Sequence, residues 1–290
     1  MKLYSFIFLY LSITSFASIV DTRGANLIAS CCNPISSTNS INLTSSEVTF
    51  SLIYNRSHWG TSGGGSGEGS DIQAASGARR IIENVLTSIN NISSFADVGV
   101  GSFIWLPSIL DKVDNQRKKE GLDSIHFIGV DVVKTLIDTH IETYKASRPH
   151  WSFRFGDAAS FDNFETIPKN MDVILCRDAL QHLPLMLVVQ ALENMLTSGA
   201  RYLLLGSYNV FGPNCDMSQP GFFSWISLNK FPLLLPEPQL TFEEGFESKR
   251  MLLYKCDILK KQLNFTLMRE RVRFHRPPID INNTCGSLPE

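Results

Sequence analysis

The chain has 290 residues, of which 43% are hydrophobic and 19% are charged, a composition that can bury a sizeable core and does not stay disordered. A formal net charge of −2 offers no electrostatic basis for a nucleic-acid partner. No Cys-x-x-Cys pair occurs, which argues against a zinc site. We therefore expect one or two globular domains, with neither a nucleic-acid partner nor a bound metal.

Residues 1–17 have the pattern of a secretory signal peptide. Lys2 precedes an apolar run over positions 3–16, and small residues follow near Ala17, where a signal peptidase would cut. A signal anchor is the alternative, since the run continues to Val20 and approaches the length that spans a bilayer. Ser and Thr interrupt the run and no basic stop follows closely, which favours cleavage. We therefore expect a secreted or lumenal protein without stable membrane insertion.

The sequons and cysteines are consistent with a secreted or lumenal protein. Five Asn-x-Ser/Thr sequons stand at Asn42, Asn55, Asn91, Asn264 and Asn282. Six cysteines are present, and an even number permits disulfides in an oxidising compartment without specifying their pairing. Cys176 lies in a predicted core strand and is expected to be a buried free thiol.

A glycine-rich stretch precedes the predicted core. Trp59 is followed by a Gly/Ser-rich run over 61–70, which reads either as a flexible linker or as a lid that folds over a ligand. An aromatic residue before it and an amphipathic helix predicted from about 72 to 89 favour the lid. In that interpretation Ser70 or Asp71 caps the helix.

A tight turn with two glycines follows the first predicted strand. Asp97 ends an apolar run, and Gly99 and Gly101 come before a helix predicted over 104–120. Glycine permits a sharp turn and a close approach to a ligand, and the N-terminus of the next helix directs its N–H groups there. The third glycine of a dinucleotide fingerprint is absent, because Ile104 occupies its place. A turn without a ligand is the alternative.

The remaining chain alternates apolar strands and helices. Strands are predicted over 124–131, 152–156, 171–176, 200–206, 251–256 and 265–272, with helices over 133–144 and 184–196. This order predicts a doubly wound parallel sheet, whose ligands bind outside the carboxyl ends of the strands. Four acids follow four successive strands: Asp97, Asp131, Asp157 and Asp178. Asp131 is placed to accept hydrogen bonds from a ribose or to cap the next helix.

Composition also sets the expected boundaries. Residues 18–50 are rich in Ser, Thr and Asn and are predicted to be an irregular arm. The α/β domain is expected over 51–272. Within it, 207–250 is rich in Pro, Gly and aromatic residues and is predicted to cover the ligand cleft. Residues 273–290 are expected to form an extended tail.

Over about residues 50–260 these features resemble the class I S-adenosylmethionine-dependent methyltransferases. They are similar in particular to a group of small members with a Trp-Gly and a Ser-Gly-x-Gly-Ser lid. The matching residues are Trp59-Gly60, Ser66-Gly67-Glu68-Gly69-Ser70, Cys176-Arg177-Asp178-x-x-x-His182-Leu183, Tyr202-Leu203-Leu204, Asn214, Leu228-Asn229, Phe231, Leu235-Pro236 and Pro238. In that group the turn usually reads Asp-Ala-Pro-Cys-Gly-Asp-Phe-x-Trp. Ser102 replaces its second acid here, so that residue cannot supply a negative charge to the ammonium of the cofactor.

The resemblance implies a Rossmann-like, doubly wound seven-stranded α/β sheet and S-adenosyl-L-methionine as cofactor. The residues expected to bind the cofactor are Trp59, Gly67, Ser70, Asp97, Gly99, Gly101, Phe103, Asp131, Val132, Asp157, Ala158 and Arg177. Because a hydroxyl nucleophile must lose its proton, Asp178 and His182 are the candidate catalytic residues. A helix-capping Asp and a satisfied core His are the alternatives.

The implied reaction is methyl transfer to a hydroxyl or carboxyl group of a glycan or small molecule in the secretory pathway. A secreted, non-catalytic binding protein on a degenerate methyltransferase scaffold is the rival hypothesis, motivated by Ser102 and by the scarcity of cofactor outside the cell. An NAD(P) oxidoreductase ranks third, because the third glycine and a Tyr-x-x-x-Lys pair are both missing.

Overall fold

The computed structural model describes residues 46–161 and 166–275. The expected signal peptide, most of the expected N-terminal arm and the chain from 276 onward lie outside this part. Seven strands form one sheet: β1 Ser94–Val98, β2 His126–Asp131, β3 Trp151–Phe155, β4 Val173–Cys176, β5 Tyr202–Tyr208, β6 Leu240–Glu243 and β7 Lys249–Lys255. Seven α-helices accompany it: α1 Ser46–Asn55, α2 Ser76–Ser88, α3 Pro107–Lys119, α4 Lys134–Tyr144, α5 Leu185–Thr197, α6 Cys256–Gln262 and α7 Phe265–His275.

The sheet has the order β3-β2-β1-β4-β5-β7-β6. Strands β1 to β5 are parallel, and β7 pairs antiparallel with both β5 and β6. The chain winds outward from β1 to β3 and then returns to place β4 on the other side of β1. This reversal opens a crevice at the carboxyl ends of β1 and β4, where ligands of such sheets bind. The predicted doubly wound seven-stranded sheet is confirmed.

Helices cover both faces of the sheet. One apolar cluster joins α2, α3 and α4 to the face that carries Phe95, and a second joins α5, α6 and α7 to the face that carries Ala96. Neighbouring residues of β1 therefore enter opposite cores, as the two-residue period of a strand requires. β4 is buried at every position, so it is the centre of the domain. Cys176 at its end is a buried free thiol, as predicted.

Three predicted elements differ from the structure. The expected strand over 265–272 is helix α7, because Met268 and Val272, four residues apart, are both buried against the α5 face. The helix continues to His275, so the first three residues of the expected extended tail are helical as well. Positions 46–50, assigned to the irregular arm, form the first half of α1. The apolar side chains of Phe50 and Ile53 are three residues apart, so they lie on the same face of this helix.

The third difference concerns residues 207–250, predicted to cover the cleft. The segment continues β5 to Tyr208, forms β6 and leads into the β6–β7 hairpin. None of its described residues lines the cavity outside the strand ends. The hairpin is part of the sheet that carries the cavity, because β7 pairs with β5. Among the described residues no helix is long and apolar enough to cross a membrane.

Candidate functional site

A cavity lies at the carboxyl ends of β1, β2 and β4, where the winding reverses. Its empty space amounts to about 990 Å³, of which part is solvent at the open mouth. Every residue expected to bind the cofactor lines it except Gly67, and so do both candidate catalytic residues. Gly67 instead shapes the glycine-rich stretch, with φ +85° and a carbonyl that accepts from the Ser70 N–H.

The glycine turn after β1 requires glycine on two grounds. Gly99 and Gly101 have φ of +88° and +55°, in the left-handed region that disfavours a side chain. A Cβ on Gly99 would lie 2.6 Å from the Cβ of Ala179, and one on Gly101 would lie 2.8 Å from Ser66 Oγ. Phe103 also has a positive φ, +56°, and its ring is buried against Phe127 with 5.1 Å between centroids.

Asp131, at the end of β2, fastens this turn. Its Oδ2 accepts from the Gly101 N–H at 2.8 Å and its Oδ1 from the Val133 N–H at 2.9 Å, at the start of α4. His140 on α4 donates from Nε2 to the Gly101 carbonyl at 2.7 Å. Burial lowers the pKa of His140, so the neutral ring supplies this bond. The helix-capping alternative for Asp131 is wrong, because Val133 is the N-cap of α4 and the helix has no side-chain cap, so the Asp131–Val133 bond is a local turn before the helix. The contact of Asp131 with a ribose stays a prediction.

Asp97, at the end of β1, is buried but has no hydrogen-bond partner among the described residues. The side chain is 4% exposed and lines the cavity. Burial, with a further contribution from Asp131, raises the pKa of Asp97 to about 8 against the opposing effect of Arg177. A carboxylate in this state gains most from a cationic ligand, which would supply both the charge and the donors that it lacks.

The glycine-rich stretch is a structured lid, defined here as residues 59–70, and it docks on the turn. Ser66 Oγ lies 2.6 Å from Tyr54 Oη and accepts from the Ser102 N–H at 3.0 Å. Ser102 Oγ donates in turn to the Gly63 carbonyl. The residue that departs from the methyltransferase group therefore holds the lid. These bonds show a structured loop and not a flexible linker; that it closes over a ligand stays a prediction.

The predicted cap of the helix after the lid is wrong. Ser70 ends a short 3₁₀ helix, and Asp71 Oδ1 accepts from the Gln73 N–H at 2.9 Å. This local turn uses the side chain before the helix begins, so α2 starts at Ser76 without a side-chain cap.

Arg177, directly after β4, joins the lid to the β6–β7 hairpin. Its guanidinium donates to both carboxylate oxygens of Glu244, at 2.7–3.1 Å, and to the Gly69 carbonyl at 3.1 Å. It also lies 3.0 Å from Asp178 Oδ2 and 5.6 Å above the ring of Trp105. Arg177 lines the cavity, but its donors are used within the protein.

Asp178 is committed to the same cluster. Its Oδ2 accepts from Lys249 Nζ at 2.8 Å and its Oδ1 from Gln181 Nε2 at 3.1 Å. Burial alone would raise the pKa of Asp178, but Arg177 and Lys249 outweigh it and hold that pKa below its usual value. A carboxylate with two hydrogen-bond donors, an adjacent guanidinium and a lowered pKa is a poor proton acceptor, so its role here is to position the loop after β4.

His182 keeps a nitrogen available to the cavity. Its Nδ1 donates to the Phe222 carbonyl at 2.8 Å, which leaves Nε2 as the acceptor nitrogen of the neutral ring. Burial lowers the pKa of His182 to about 4, and the ring of Trp59 packs on it with 4.4 Å between centroids. Among the described residues, Nε2 has no partner, so His182 offers the cavity an acceptor nitrogen, and its lowered pKa makes that nitrogen a weak base.

Asp157 and the adjacent Ala158 complete the cavity beside β3. Asp157 Oδ1 accepts from the Ala159 N–H at 2.8 Å, so one oxygen holds the loop. Both residues, together with Val132 after β2, line the cavity next to Asp131. The predicted gathering of four acids at one edge of the sheet is thus observed.

Sequence reasoning missed several residues of the site. Glu244 and Lys249 lie 67 and 71 positions beyond their partners, and no local signal marks them. Phe50 and Tyr54 line the cavity from α1. Their four-residue spacing, together with Trp59, was a detectable helical signal.

The observed residues fit an adenosyl sulfonium cofactor in one respect. Asp97 lines the cavity and has no hydrogen-bond partner among the described residues, so its carboxylate suits an ammonium group. No arrangement of His, Cys, Asp or Glu suited to a metal ion occurs in the described ranges.

Comparisons with known proteins give matches in structure alone. No model of a protein family and no curated protein matches the chain. Among solved structures, the CMeT domain of the citrinin polyketide synthase matches with a TM-score of 0.45 and 13% identity over 64% of this chain and 52% of that one. The mitomycin 7-O-methyltransferase MmcR matches with a TM-score of 0.44 and 16% identity over 63% and 54%. The chain therefore spans about half the length of these two structures.

A third match covers more of both chains. The magnesium protoporphyrin IX methyltransferase ChlM from Synechocystis PCC 6803, with bound SAM, gives a TM-score of 0.42 and 13% identity over 82% of this chain and 98% of that one. We base the assignment of the fold on the strand order of this chain and on its single antiparallel strand, β7, which lies between β5 and β6. By this topology the chain has the Rossmann-like, seven-stranded α/β fold of the class I methyltransferases.

Proposed function

We propose that the protein transfers a methyl group from S-adenosylmethionine to a hydroxyl or carboxyl group of a glycan or small molecule. The observation that carries this proposal is Asp97, a buried carboxylate that lies beside a glycine turn and has no hydrogen-bond partner within residues 46–161 and 166–275. The match to the lid of the small methyltransferase group, from Trp59 to Ser70, supports the same cofactor.

When bound, the cofactor supplies a methyl group on a sulfonium, from which a neutral thioether leaves readily. Asp97 would hold the ammonium of its amino-acid portion. The chain's main contribution is then orientation in a cleft that the lid closes to water. His182 Nε2 accepts the proton of a hydroxyl acceptor.

Isothermal titration tests the cofactor directly. We expect S-adenosylhomocysteine to bind and NAD not to bind. A methyl-transfer assay then separates an enzyme from the non-catalytic scaffold. The scaffold is favoured by Ser102, whose hydroxyl donates to the Gly63 carbonyl. Labelled methyl groups should appear in a cell-surface extract. Binding of NAD alone would overturn the proposal, whereas cofactor binding with no transfer to any extract would favour the scaffold.

A variant of His182 tests the base. His182→Gln keeps a side-chain amide that can donate to the Phe222 carbonyl but removes the basic nitrogen. We expect methyl transfer to fall by about 10²- to 10⁴-fold while the affinity for S-adenosylhomocysteine is unchanged. An unchanged rate would remove His182 from the mechanism.

We also propose that this reaction takes place in the secretory pathway or outside the cell. The signal-like N-terminus supports this location, and the three sequon asparagines within the described ranges, Asn55, Asn91 and Asn264, are exposed. Expression in a eukaryotic cell followed by glycosidase treatment should shift the protein to a lower apparent mass. A protein of unmodified mass that stays in the cytosol would contradict the location.

A further inference from the structure

The part of the cavity wall next to His182 is aromatic. Phe50 and Tyr54 from α1 and Trp59 from the lid line it, together with His182 and Leu183. The ring of Trp59 lies 6.0 Å from that of Phe50 and 5.8 Å from that of Tyr54. We refer to these five residues as the aromatic end.

The charges of the cavity disfavour an anionic acceptor. Four carboxylates line it: Asp97, Asp131, Asp157 and Asp178. Arg177 is the one Lys or Arg among the described lining residues, and Glu244, Asp178 and the Gly69 carbonyl already take up its donors. A carboxylate or phosphate on the acceptor would find no free cation among these lining residues.

The polar groups of the aromatic end are few and largely satisfied. Tyr54 Oη is bonded to Ser66 Oγ at 2.6 Å, and the Nδ1 of His182 is bonded to the Phe222 carbonyl. His182 Nε2 is therefore the principal acceptor that remains. A sugar would have to give up the hydration of several hydroxyl groups there for one good partner, which is costly.

From these contacts we propose that the acceptor is a neutral, planar aromatic molecule with a single hydroxyl group directed at His182 Nε2. This inference rests on the proposed function and narrows its substrate class. A flat ring gains area and edge-to-face contact with Phe50, Tyr54 and Trp59, and its hydroxyl supplies the one donor that the site can accept.

The chemistry of the step balances with these groups. The acceptor oxygen forms a bond to the methyl carbon as its proton passes to His182 Nε2, and the carbon–sulfur bond breaks with its electron pair going to sulfur. The positive charge thus moves from the sulfonium to the imidazolium, which returns the proton to water. A phenolic hydroxyl has a pKa of about 10. It therefore yields its proton to a neutral imidazole more readily than an aliphatic hydroxyl does.

Three probes test the proposal: a neutral aromatic alcohol (2-naphthol), an aromatic anion (2-naphthoate) and a neutral sugar (methyl β-D-glucopyranoside). Each is titrated into the full chain loaded with S-adenosylhomocysteine. We expect 2-naphthol to bind at least about tenfold more tightly than either of the others, the size of a good aromatic contact. Equal or tighter binding of the carboxylate or the glycoside would overturn the proposal.

A pair of variants locates the binding. Phe50→Ala removes one wall of the aromatic end and should weaken 2-naphthol about tenfold without changing the affinity for S-adenosylhomocysteine. Phe274→Ala removes a ring from the exposed surface of α7, where it is 71% exposed, and should change neither affinity. Equal losses in both variants would place the binding elsewhere.

Failure of this inference is distinguishable from failure of the proposed function. The affinity for S-adenosylhomocysteine is measured before any acceptor is added, and its absence contradicts the proposed function. The three probes are then titrated into the unloaded protein as well, so the preference of the aromatic end is tested in either case.

Discussion

Two aspartates at the carboxyl ends of neighbouring parallel strands have opposite environments. Asp97, the fourth residue of β1, is buried without a donor among the described residues, and its pKa is raised to about 8. Asp178, after β4, accepts from Lys249 and Gln181 and lies against Arg177, and its pKa is lowered. The same residue type at equivalent strand ends therefore serves two purposes. The first leaves a binding group for a cation, and the second supports the lid and the hairpin.

The largest expected effect on stability comes from disrupting the ion pairs around Asp178 and Arg177. Arg177→Met leaves the buried carboxylates of Glu244 and Asp178 without their main partner, and removing one member of a buried ion pair costs about 3–5 kcal/mol. We expect the free energy of unfolding, measured by urea denaturation, to fall by this amount. Arg273→Met, on the exposed surface of α7, is the matched control and should stay within about 0.5 kcal/mol of the parent. An equally stable Arg177→Met protein would contradict the structural role of the cluster.

A second prediction concerns Asp97 and the pH dependence of stability. Burial and Asp131 raise the pKa of Asp97 above its ordinary value of 3.8, so between about pH 4 and 8 the folded chain binds this proton more tightly than the unfolded chain. The free energy of unfolding should therefore decrease as the pH rises through that window, by up to about 1.4 kcal/mol per pH unit. Below it, the stabilisation is fully present.

Asp97→Asn isolates this contribution. The difference in free energy of unfolding between parent and variant cancels all other titrating groups and should change in favour of the variant from pH 5 to pH 8. A difference that is constant across this range would show that Asp97 does not titrate there.

The third prediction concerns the ligand. If Asp97 holds the ammonium of the cofactor, Asp97→Asn loses a charged hydrogen bond worth about 1.5–3 kcal/mol. The affinity for S-adenosylhomocysteine should therefore fall by roughly 10- to 100-fold. Isothermal titration measures this, with the exposed Asp123→Asn as the matched control. Because Asp97 must be ionised to bind, the parent's affinity should increase with pH up to about pH 8, and the Asn variant should lack this dependence.

The smallest effect is expected at the lid. Ser102→Ala removes the bond to the Gly63 carbonyl, worth about 0.5–1.5 kcal/mol, while the Ser102 N–H still donates to Ser66 Oγ. Hydrogen exchange over residues 62–70 should become about two- to tenfold faster, with the rate in β4 unchanged. Unaltered exchange in the lid would show that this bond does not hold it.

Much of the fold was predictable because its signals are local. The apolar runs, the helical periods and the two glycines with positive φ are read from neighbouring residues, and they located β1 to β5 and the cavity at their carboxyl ends. The strand predicted over 265–272 failed for the same reason. Met268 and Val272 fit a helix as well as an apolar run, and packing against α5 decided between the two.

The sequence by itself determined the winding of the sheet, the glycine turn and the presence of acids at its edge, since each depends on spacing along the chain. The tertiary structure decided what each acid does. Lys249 and Glu244 return to Asp178 and Arg177 from 71 and 67 residues away, and nothing returns to Asp97 in the described part of the chain. A carboxylate's charge and partners depend on which side chains the fold brings near it and on how much water it excludes, and neither is written in the local sequence.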